Sequence, residues 1–221
     1  MEDKILVVNK PKGLTSHDVV EIVRQKLGIK KVGHAGTLDP QASGVLIILV
    51  GKKTKEQAKY MRMEKEYLAQ VEFGRATETG DEEGRIIEQI SPRFFKNFMR
   101  SQVEIKSSSF LGKIRQKVPL YSAVKVKGKK LYQLARKGKR PKELPERTVD
   151  IKEIKILDFK KGTDKTYPVA KLKIVCGKGV YIRQLAVDLG KALGVPAYLK
   201  SLVRTRVGGF SLEKATEINK L

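Results

Sequence analysis

The sequence is poor in the residues that build disulfide frameworks and metal sites. Its 221 residues include one cysteine, Cys176, two histidines and no tryptophan. One cysteine excludes an intrachain disulfide, and so few Cys and His side chains argue against a zinc site of the ordinary ligand type. We therefore expect no metal site and a reducing compartment such as the cytoplasm.

Long apolar runs are also absent. The longest, residues 45–50, has the length of a strand, whereas a transmembrane helix needs about 18 or more apolar residues. The start of the chain, MEDK, lacks the basic residues and the long apolar core of a signal peptide. These absences predict a cytoplasmic protein without a membrane-spanning segment.

Acidic residues are scarce beside basic ones. The chain has 24 Asp and Glu against 47 Lys and Arg, a formal net charge of +23. Excess like charge repels itself in a compact protein, so a polyanionic partner is the natural explanation. Nucleic acid is favoured, because each phosphate paired with Lys or Arg releases condensed counterions. A Lys-rich thermophile surface is the alternative, but it usually carries matching glutamate.

The basic residues are concentrated in one part of the chain, which we call the basic segment, residues 111–147. It contains thirteen Lys and Arg and only two acidic residues. This density predicts an RNA-facing surface. Residues 72–88 are acidic and are expected to lie away from phosphate.

The order of the predicted elements indicates an α+β fold. Strands and helices mix without regular βαβ alternation, which favours a central, largely antiparallel sheet flanked by helices. Strands are predicted at 4–8, 45–50, 66–73, 149–157, 169–176 and 203–208. Helices are predicted at 16–27 (with Ser16 as the cap), 54–63, 91–104, 131–137 and 181–193. We expect one domain, 1–221, that contains the basic segment as an insertion.

Residues 33–44 are predicted to form a loop rich in glycine that presents one carboxylate. Gly33, Gly36 and Gly44 permit tight turns and the close approach of a ligand. Pro40 biases Asp39 towards extended geometry. An Asp-Pro pair alone is a common turn, but here the apolar run at 45–50 anchors the loop to the core.

Five blocks in order resemble the pseudouridine synthase family whose members act on tRNA and on guide-directed sites. GHAGTLDP at 33–40 resembles the signature loop, and its Gly-His form resembles the branch that modifies position 55 in the T loop of tRNA. The other blocks are NKPKG (9–13), KEY with GRATETGD (65–67 and 74–81), YSAVK with GKKLY (121–125 and 128–132), and CGKGVYIR (176–183). The likeness covers about 5–210 and implies the fold of that family, with the basic segment as an RNA-gripping thumb.

The resemblance implies a role for particular residues. Asp39 matches the essential aspartate, Tyr67 the tyrosine that packs on the target base, and Arg183 the arginine that pairs with the aspartate. Taken alone, Tyr67 would be read as a core tyrosine and Arg183 as a surface arginine. Positions that line the pocket or wedge the RNA loop are His34, Tyr181 and Leu202. Expected RNA contacts are Lys10, Lys12, Lys31, Lys125, Lys129 and Lys130.

The implied reaction breaks the N1–C1′ bond of a uridine, turns the uracil and joins C5 to C1′. The substrate supplies every atom, so no cofactor is expected. Asp39 serves either as a nucleophile at C1′ or as a base at the 2′ position, and the sequence leaves both routes open. The base must leave its stack before the carboxylate reaches the sugar, and an aromatic face such as Tyr67 suits it there.

The sequence departs from the family pattern in two places. Residues 118–120 read VPL where many members have a Pro-Pro pair, and the chain ends at Leu221, where members usually continue into a PUA domain. The alternatives are a non-catalytic RNA-binding protein and a guide-dependent synthase. The complete Asp39 loop favours an enzyme, and its Gly-His form favours one that stands alone. We expect a monomer that lacks the PUA domain, binds the T arm of tRNA and needs no obligate protein partner.

Overall fold

A computed structural model describes residues 3–221, and its elements alternate irregularly between helix and strand. The helices are α1 (Ser16–Leu27), α2 (Gln57–Arg62), α3 (Arg100–Ser108), α4 (Leu131–Arg136) and α5 (Ile182–Ala192). The strands are β1 (Ile5–Lys10), β2 (Val32–Ala35), β3 (Ser43–Val50), β4 (Lys65–Phe73), β5 (Arg75–Thr77), β6 (Ile86–Gln89), β7 (Gly112–Lys117), β8 (Lys125–Val126), β9 (Lys129–Lys130), β10 (Glu146–Lys160), β11 (Val169–Cys176), β12 (Ala197–Val207), β13 (Phe210–Ser211) and β14 (Thr216–Glu217).

A ten-stranded sheet dominates the fold. Its strand order is β14-β1-β3-β12-β4-β11-β10-β7, with β2 paired to β3 and β13 paired to β12. β1 runs antiparallel to β3 and parallel to β14, and β12 joins β3 in parallel. The α+β class is confirmed, and the sheet is mixed.

Backbone contacts divide the chain into two compact units. The first unit comprises the described residues up to Leu68, together with Ile174–Lys178 and Ser201–Leu221. The second unit comprises Ala69–Lys173 and Gly179–Lys200 and holds the whole basic segment. The prediction of a single domain stays a prediction.

In the first unit, β3 is buried on both faces, which explains its uninterrupted apolar sequence. Successive strand side chains point to opposite faces, so alternate residues of β3 belong to two clusters. Leu46, Ile48 and Val50 pack with α1 and β1, in a cluster that includes Val8, Val19, Val20 and Val23. Val45, Ile47 and Leu49 pack with Ala35, Tyr60 and Val207.

Helix α1 has the predicted bounds but a different cap. Thr15 accepts a hydrogen bond from the Asp18 N–H at 3.0 Å, and the Asp18 carboxylate accepts from the Thr15 N–H at 2.8 Å. This reciprocal pair is a capping box. The prediction of Ser16 as the cap is wrong, because the Ser16 hydroxyl is buried and bonded elsewhere. Gly28, at φ +64°, ends the helix as expected.

Other helix and strand boundaries differ from the predicted ones where strand pairing or turn geometry overrides the local sequence pattern. The predicted loop 33–44 is shorter, because Val32–Ala35 pairs with β3. The predicted helix 54–63 is a 3-10 turn at Gly51–Glu56 followed by α2, and 91–104 is a 3-10 turn at Pro92–Asn97 followed by α3. Two further 3-10 turns lie at Leu212–Lys214 and Ile218–Lys220. Among residues 3–221, every helix is too short or too polar to cross a bilayer.

Candidate active site

Asp39 lies in the loop that joins β2 to β3 in the first unit, and it is partly exposed. The Ala42 N–H donates to the Asp39 carbonyl at 3.0 Å, which closes a turn around Pro40. The loop returns to the sheet at Gly44, at φ +106°. A Cβ there would lie 2.2 Å from the Arg204 carbonyl oxygen, so glycine is needed both for conformation and for space.

Ser16 fastens the residue before Asp39. Its buried hydroxyl accepts from the Leu38 N–H at 2.8 Å and donates to the Leu38 carbonyl at 3.1 Å. Both backbone groups of Leu38 are thereby satisfied by one side chain from the first turn of α1. The peptide that carries Asp39 is fixed to the helix.

Lys10 fastens the residue after Asp39. Its side chain is fully buried, and Nζ donates to the carbonyls of Pro40 at 3.2 Å, Leu14 at 2.6 Å and Pro11 at 2.8 Å. Burial lowers the pKa of Lys10 to about 8, against the opposing effect of the Asp39 charge. Lys10 is therefore a buried residue that holds the loop by hydrogen bonds, which differs from the expectation that it contacts RNA.

Arg204 is the residue that sequence reasoning missed. It lies on β12 with 1% of its surface exposed, and Nε donates to the Val45 carbonyl at 2.7 Å. Nη2 donates to the Gly36 carbonyl at 2.9 Å, and Nη1 to the Thr37 carbonyl at 3.5 Å. The only sequence signal was an arginine inside a strand pattern. Its partners precede and follow Asp39 along the chain, so Arg204 fastens the loop at both of its ends.

Tyr67 is buried on β4 in the same unit. Burial raises the pKa of its hydroxyl, the Arg204 guanidinium opposes that shift, and the charge of Asp39 reinforces it. The hydroxyl is therefore a neutral phenol at ordinary pH. Tyr67 and the Asp39 loop belong to the same unit, and the packing of Tyr67 on the target base stays a prediction.

His34 lies on β2, five residues before Asp39. Burial lowers the pKa of its imidazole, with the charges of Arg204 and His17 acting in the same direction, so the ring is neutral at pH 7. His34 also lines a cavity of about 370 Å³ together with Arg24 and the exposed Lys31. Of the other predicted residues of this unit, Lys12 is exposed and Leu202 is half-buried on β12.

Arg183 is buried in the second unit near the start of α5. Nη1 lies 3.3 Å from the Asp81 carboxylate and donates to the Thr79 carbonyl at 3.1 Å. Nη2 donates to the Tyr121 carbonyl at 3.1 Å. These partners orient the guanidinium within its own unit. The pairing of Arg183 with Asp39 stays a prediction.

Four lysines of the basic segment lie on a short hairpin, residues 125–130. Strands β8 and β9 pair Lys125 with Lys130, and Lys127, at φ +48°, helps to form the turn. Lys125 and Lys129 are exposed and Lys130 is half-exposed, with its Nζ 5.7 Å from the ring centroid of Tyr132. Such a hairpin can follow a phosphate backbone.

Residues 3–221 contain no group of three or more His, Cys, Asp or Glu side chains arranged to hold a metal ion. The expectation that no cofactor is needed stays a prediction.

A carboxylate on a loop held on both sides, with a buried tyrosine in the same unit of an α+β scaffold, fits the pseudouridylate synthases. Residues 24–182 match the family described as "TruB family pseudouridylate synthase (N terminal domain)", and the chain belongs to this family. It is 44% identical over 219 residues to the tRNA pseudouridine synthase B of Symbiobacterium thermophilum, covering 99% of this chain and 71% of that protein. The protein of the same name from Geobacillus thermodenitrificans is 43% identical, with 99% and 72% covered.

A solved structure supports the fold independently. The crystal structure of a Cbf5-Nop10-Gar1 complex contains a chain that superposes with a TM-score of 0.72 at 27% identity. The superposition covers 97% of this chain and 52% of that one. The shared fold thus spans nearly all of this chain and about half of the matched chain in that complex.

We predict that the turnover number falls above about pH 8, because Lys10 then loses the proton that holds Pro40. In the folded protein the pKa of Lys10 is about 8, against an ordinary value of 10.5. Between these two values the unfolded chain binds more protons, so this group makes the folded state more stable as pH rises. The loss of activity should therefore appear without unfolding.

The measurement is kcat against pH from about 7 to 10, a range centred near the folded pKa of Lys10, which is about 8, with thermal unfolding followed in parallel. Lys10→Met should lower kcat and remove the alkaline limb. Lys65→Met is the matched control, because Lys65 is also buried with a pKa lowered to about 8, but it donates to Met61 and Met63. A limb that survives in Lys10→Met and vanishes in Lys65→Met would contradict the assignment.

Proposed function

We propose that the chain converts uridine to pseudouridine in the T loop of tRNA, at position 55. The observation that carries the proposal is the Asp39 loop, in which Arg204, Ser16 and Lys10 fix the backbone on both sides of one partly exposed carboxylate. Relatives named tRNA pseudouridine synthase B match nearly the whole chain. A fixed carboxylate suits a reaction whose acceptor is one carbon of a flipped nucleotide.

In this reaction the N1–C1′ bond breaks, the uracil turns and C5 bonds to C1′. C5 gives up a proton and N1 gains one, so the substrate supplies every atom and no cofactor is required. Asp39 either attacks C1′ or removes the 2′ proton, and both routes require it ionised. We propose that Arg183, oriented by Asp81 and Thr79, pairs with Asp39 and stabilises that charge.

The uracil must leave the T-loop stack to reach Asp39. We propose that Tyr67 packs on the flipped base, and that Tyr181, His34 and Leu202 line or wedge the substrate loop. The neutral imidazole of His34 suits a wedge between bases, because it carries no charge to desolvate.

If stacking is the main role of Tyr67, Tyr67→Phe will keep far more activity than Tyr67→Ala. Base–aromatic stacking is worth about 1–3 kcal/mol, so the alanine variant should lose roughly 5- to 150-fold in binding of the flipped state. Single-turnover rates on tRNA measure the difference. Equal losses in both variants would assign the role to the hydroxyl beside Arg204.

We also expect RNA affinity to fall steeply with salt and the slope to depend on the hairpin. Changing Lys125, Lys129 and Lys130 to Gln should reduce the slope of log K against log salt by roughly 0.7 to 0.9 for each phosphate that is no longer neutralised. The control replaces Lys160, Lys161 and Lys165, which lie outside the basic segment. An unchanged slope in the hairpin variant would show that the hairpin does not face RNA.

The proposed function is tested with the 221-residue chain alone, unmodified tRNA transcript and a T-arm hairpin. Pseudouridine at position 55 in both RNAs, mapped by sequencing, is the expected result, and a transcript with cytidine at that position is the control. Binding without product would favour a non-catalytic RNA-binding protein. Activity that requires an added guide RNA or protein would favour the guide-dependent alternative and contradict our proposal of a monomer without an obligate partner.

A further inference from the structure

Gln116 holds the backbone of Tyr181 in two directions. Its side chain lies on β7 and is almost fully buried. Nε2 donates to the Tyr181 carbonyl at 3.1 Å, and Oε1 accepts from the Tyr181 N–H at 2.8 Å. One side-chain amide thus makes the two backbone hydrogen bonds that a neighbouring β-strand would otherwise make with Tyr181. Neither the family resemblance nor the proposed chemistry assigns a role to Gln116.

Arg147 holds the ring of the same tyrosine. Its Cζ lies 5.4 Å from the centroid of the Tyr181 ring, within the range of a cation–π contact. A Cβ on Gly179 would lie 3.5 Å from Nη1 of Arg147, so the guanidinium runs along the turn before Tyr181. Both the ring and the backbone of Tyr181 are therefore contacted from the basic segment.

These two contacts come from one place in the sheet. Gln116 and Arg147 are cross-strand partners in the antiparallel pair of β7 and β10, so their side chains share a face. Tyr181 is the residue that precedes α5, and its own side chain makes no capping hydrogen bond. Gln116 thus anchors the residue before α5, two residues before Arg183.

We propose that Gln116 and Arg147 are positioning residues that hold Tyr181 for the isomerisation step. The inference rests on the proposed function, because it takes Tyr181 as a residue that meets the substrate. A tyrosine that is held at both its backbone and its ring presents that ring to the RNA in a single orientation. A displacement of about 1 Å at such a surface lowers the rate by as much as about 100-fold.

The first test is Gln116→Leu, which keeps similar volume and removes both hydrogen bonds. We expect kcat to fall by about 10- to 100-fold with KM for tRNA unchanged. Gln102→Leu is the control for the loss of a side-chain amide, because the exposed Gln102 accepts from the Met99 N–H at 2.7 Å at the start of α3. Equal kcat losses in the two variants, or losses that follow the melting temperature, would reduce Gln116 to a structural role and overturn the proposal.

The second test is a double-mutant cycle with Arg147→Lys and Tyr181→Leu. Lysine keeps the charge but lacks the flat guanidinium, so kcat should fall by about 2- to 5-fold while the salt dependence of RNA binding stays the same. In the Tyr181→Leu background the same change should have no further effect. An equal effect in both backgrounds would show that Arg147 does not act through Tyr181.

A spectroscopic readout separates this inference from the proposed function. The chain has no tryptophan, so Tyr181→Trp introduces a single tryptophan, which can be excited selectively over the remaining tyrosines. Adding Gln116→Leu should lower its anisotropy and shift its emission, and adding Gln102→Leu should not. If the unmodified chain forms no pseudouridine, the proposed function fails, while unchanged emission in the Gln116→Leu background would overturn the positioning role itself.

Discussion

Asp39→Asn is expected to abolish pseudouridine formation while RNA affinity stays nearly intact. The two side chains have almost the same size, so the loop held by Lys10, Ser16 and Arg204 should keep its shape. The amide is neutral and is a poor nucleophile and a poor base. Loss of a positioned acid–base group alone costs about 10²- to 10⁴-fold, and loss of a nucleophile leaves no route at all.

Tritium release from C5-labelled tRNA measures the turnover, and filter binding measures the affinity. Asp164→Asn is the matched control, because Asp164 is exposed in a loop of the second unit and its charge change is the same. Substantial turnover by Asp39→Asn would remove Asp39 from the mechanism. A large loss of RNA affinity in the same variant would instead assign Asp39 to binding.

Arg204→Met is expected to have the second largest effect, on both stability and activity. The change leaves the carbonyls of Val45, Gly36 and Thr37 without their buried donor. An unsatisfied buried polar group costs about 1–3 kcal/mol, so we expect the free energy of unfolding to fall by about 2–5 kcal/mol. Because the loop before Asp39 is then free to shift, kcat should fall by about 100-fold or more at temperatures where the variant is folded.

Arg206→Met provides the control for this variant. Arg206 lies on the same strand two residues later, but it is partly exposed and pairs with the carboxylates of Glu64 and Glu66. Ion pairs of this exposure contribute about 0–1 kcal/mol, so little change in unfolding and none in kcat is expected. Denaturant unfolding and single-turnover assays on both variants make the comparison. Wild-type kcat in folded Arg204→Met would contradict the positioning of the loop by Arg204.

The family resemblance indicated the role of Arg183 but not the residues that surround its side chain. Its place near the start of α5 followed from the helical pattern, and its role followed from the family motif. The structure adds what surrounds it, a carboxylate from Asp81 and carbonyls from Thr79 and Tyr121. The two carbonyls come from residues 104 and 62 positions away along the chain. No pattern of neighbouring residues could have indicated them.

The sequence by itself determined the features that depend on neighbours along the chain. The bounds of α1 at Ser16–Leu27 and of β11 at Val169–Cys176 followed from apolar periodicity and from glycine at the ends. The net charge of +23 and its concentration at 111–147 followed from counting. The Asp39 loop was marked by its own glycines and proline. Periodicity and turn chemistry are local properties, so a single sequence displays them.

Only the tertiary structure decided which side chains hold the site. Ser16 looked like a helix cap and instead holds Leu38. Lys10 looked like an RNA contact and is buried beneath Pro40, and Arg204 looked like any strand residue and holds Gly36. Their hydrogen bonds span 22, 30 and 168 residues. The tertiary fold brings these distant residues together. Because their side chains are buried there, a polar or charged group without a hydrogen-bond partner would destabilise the folded state.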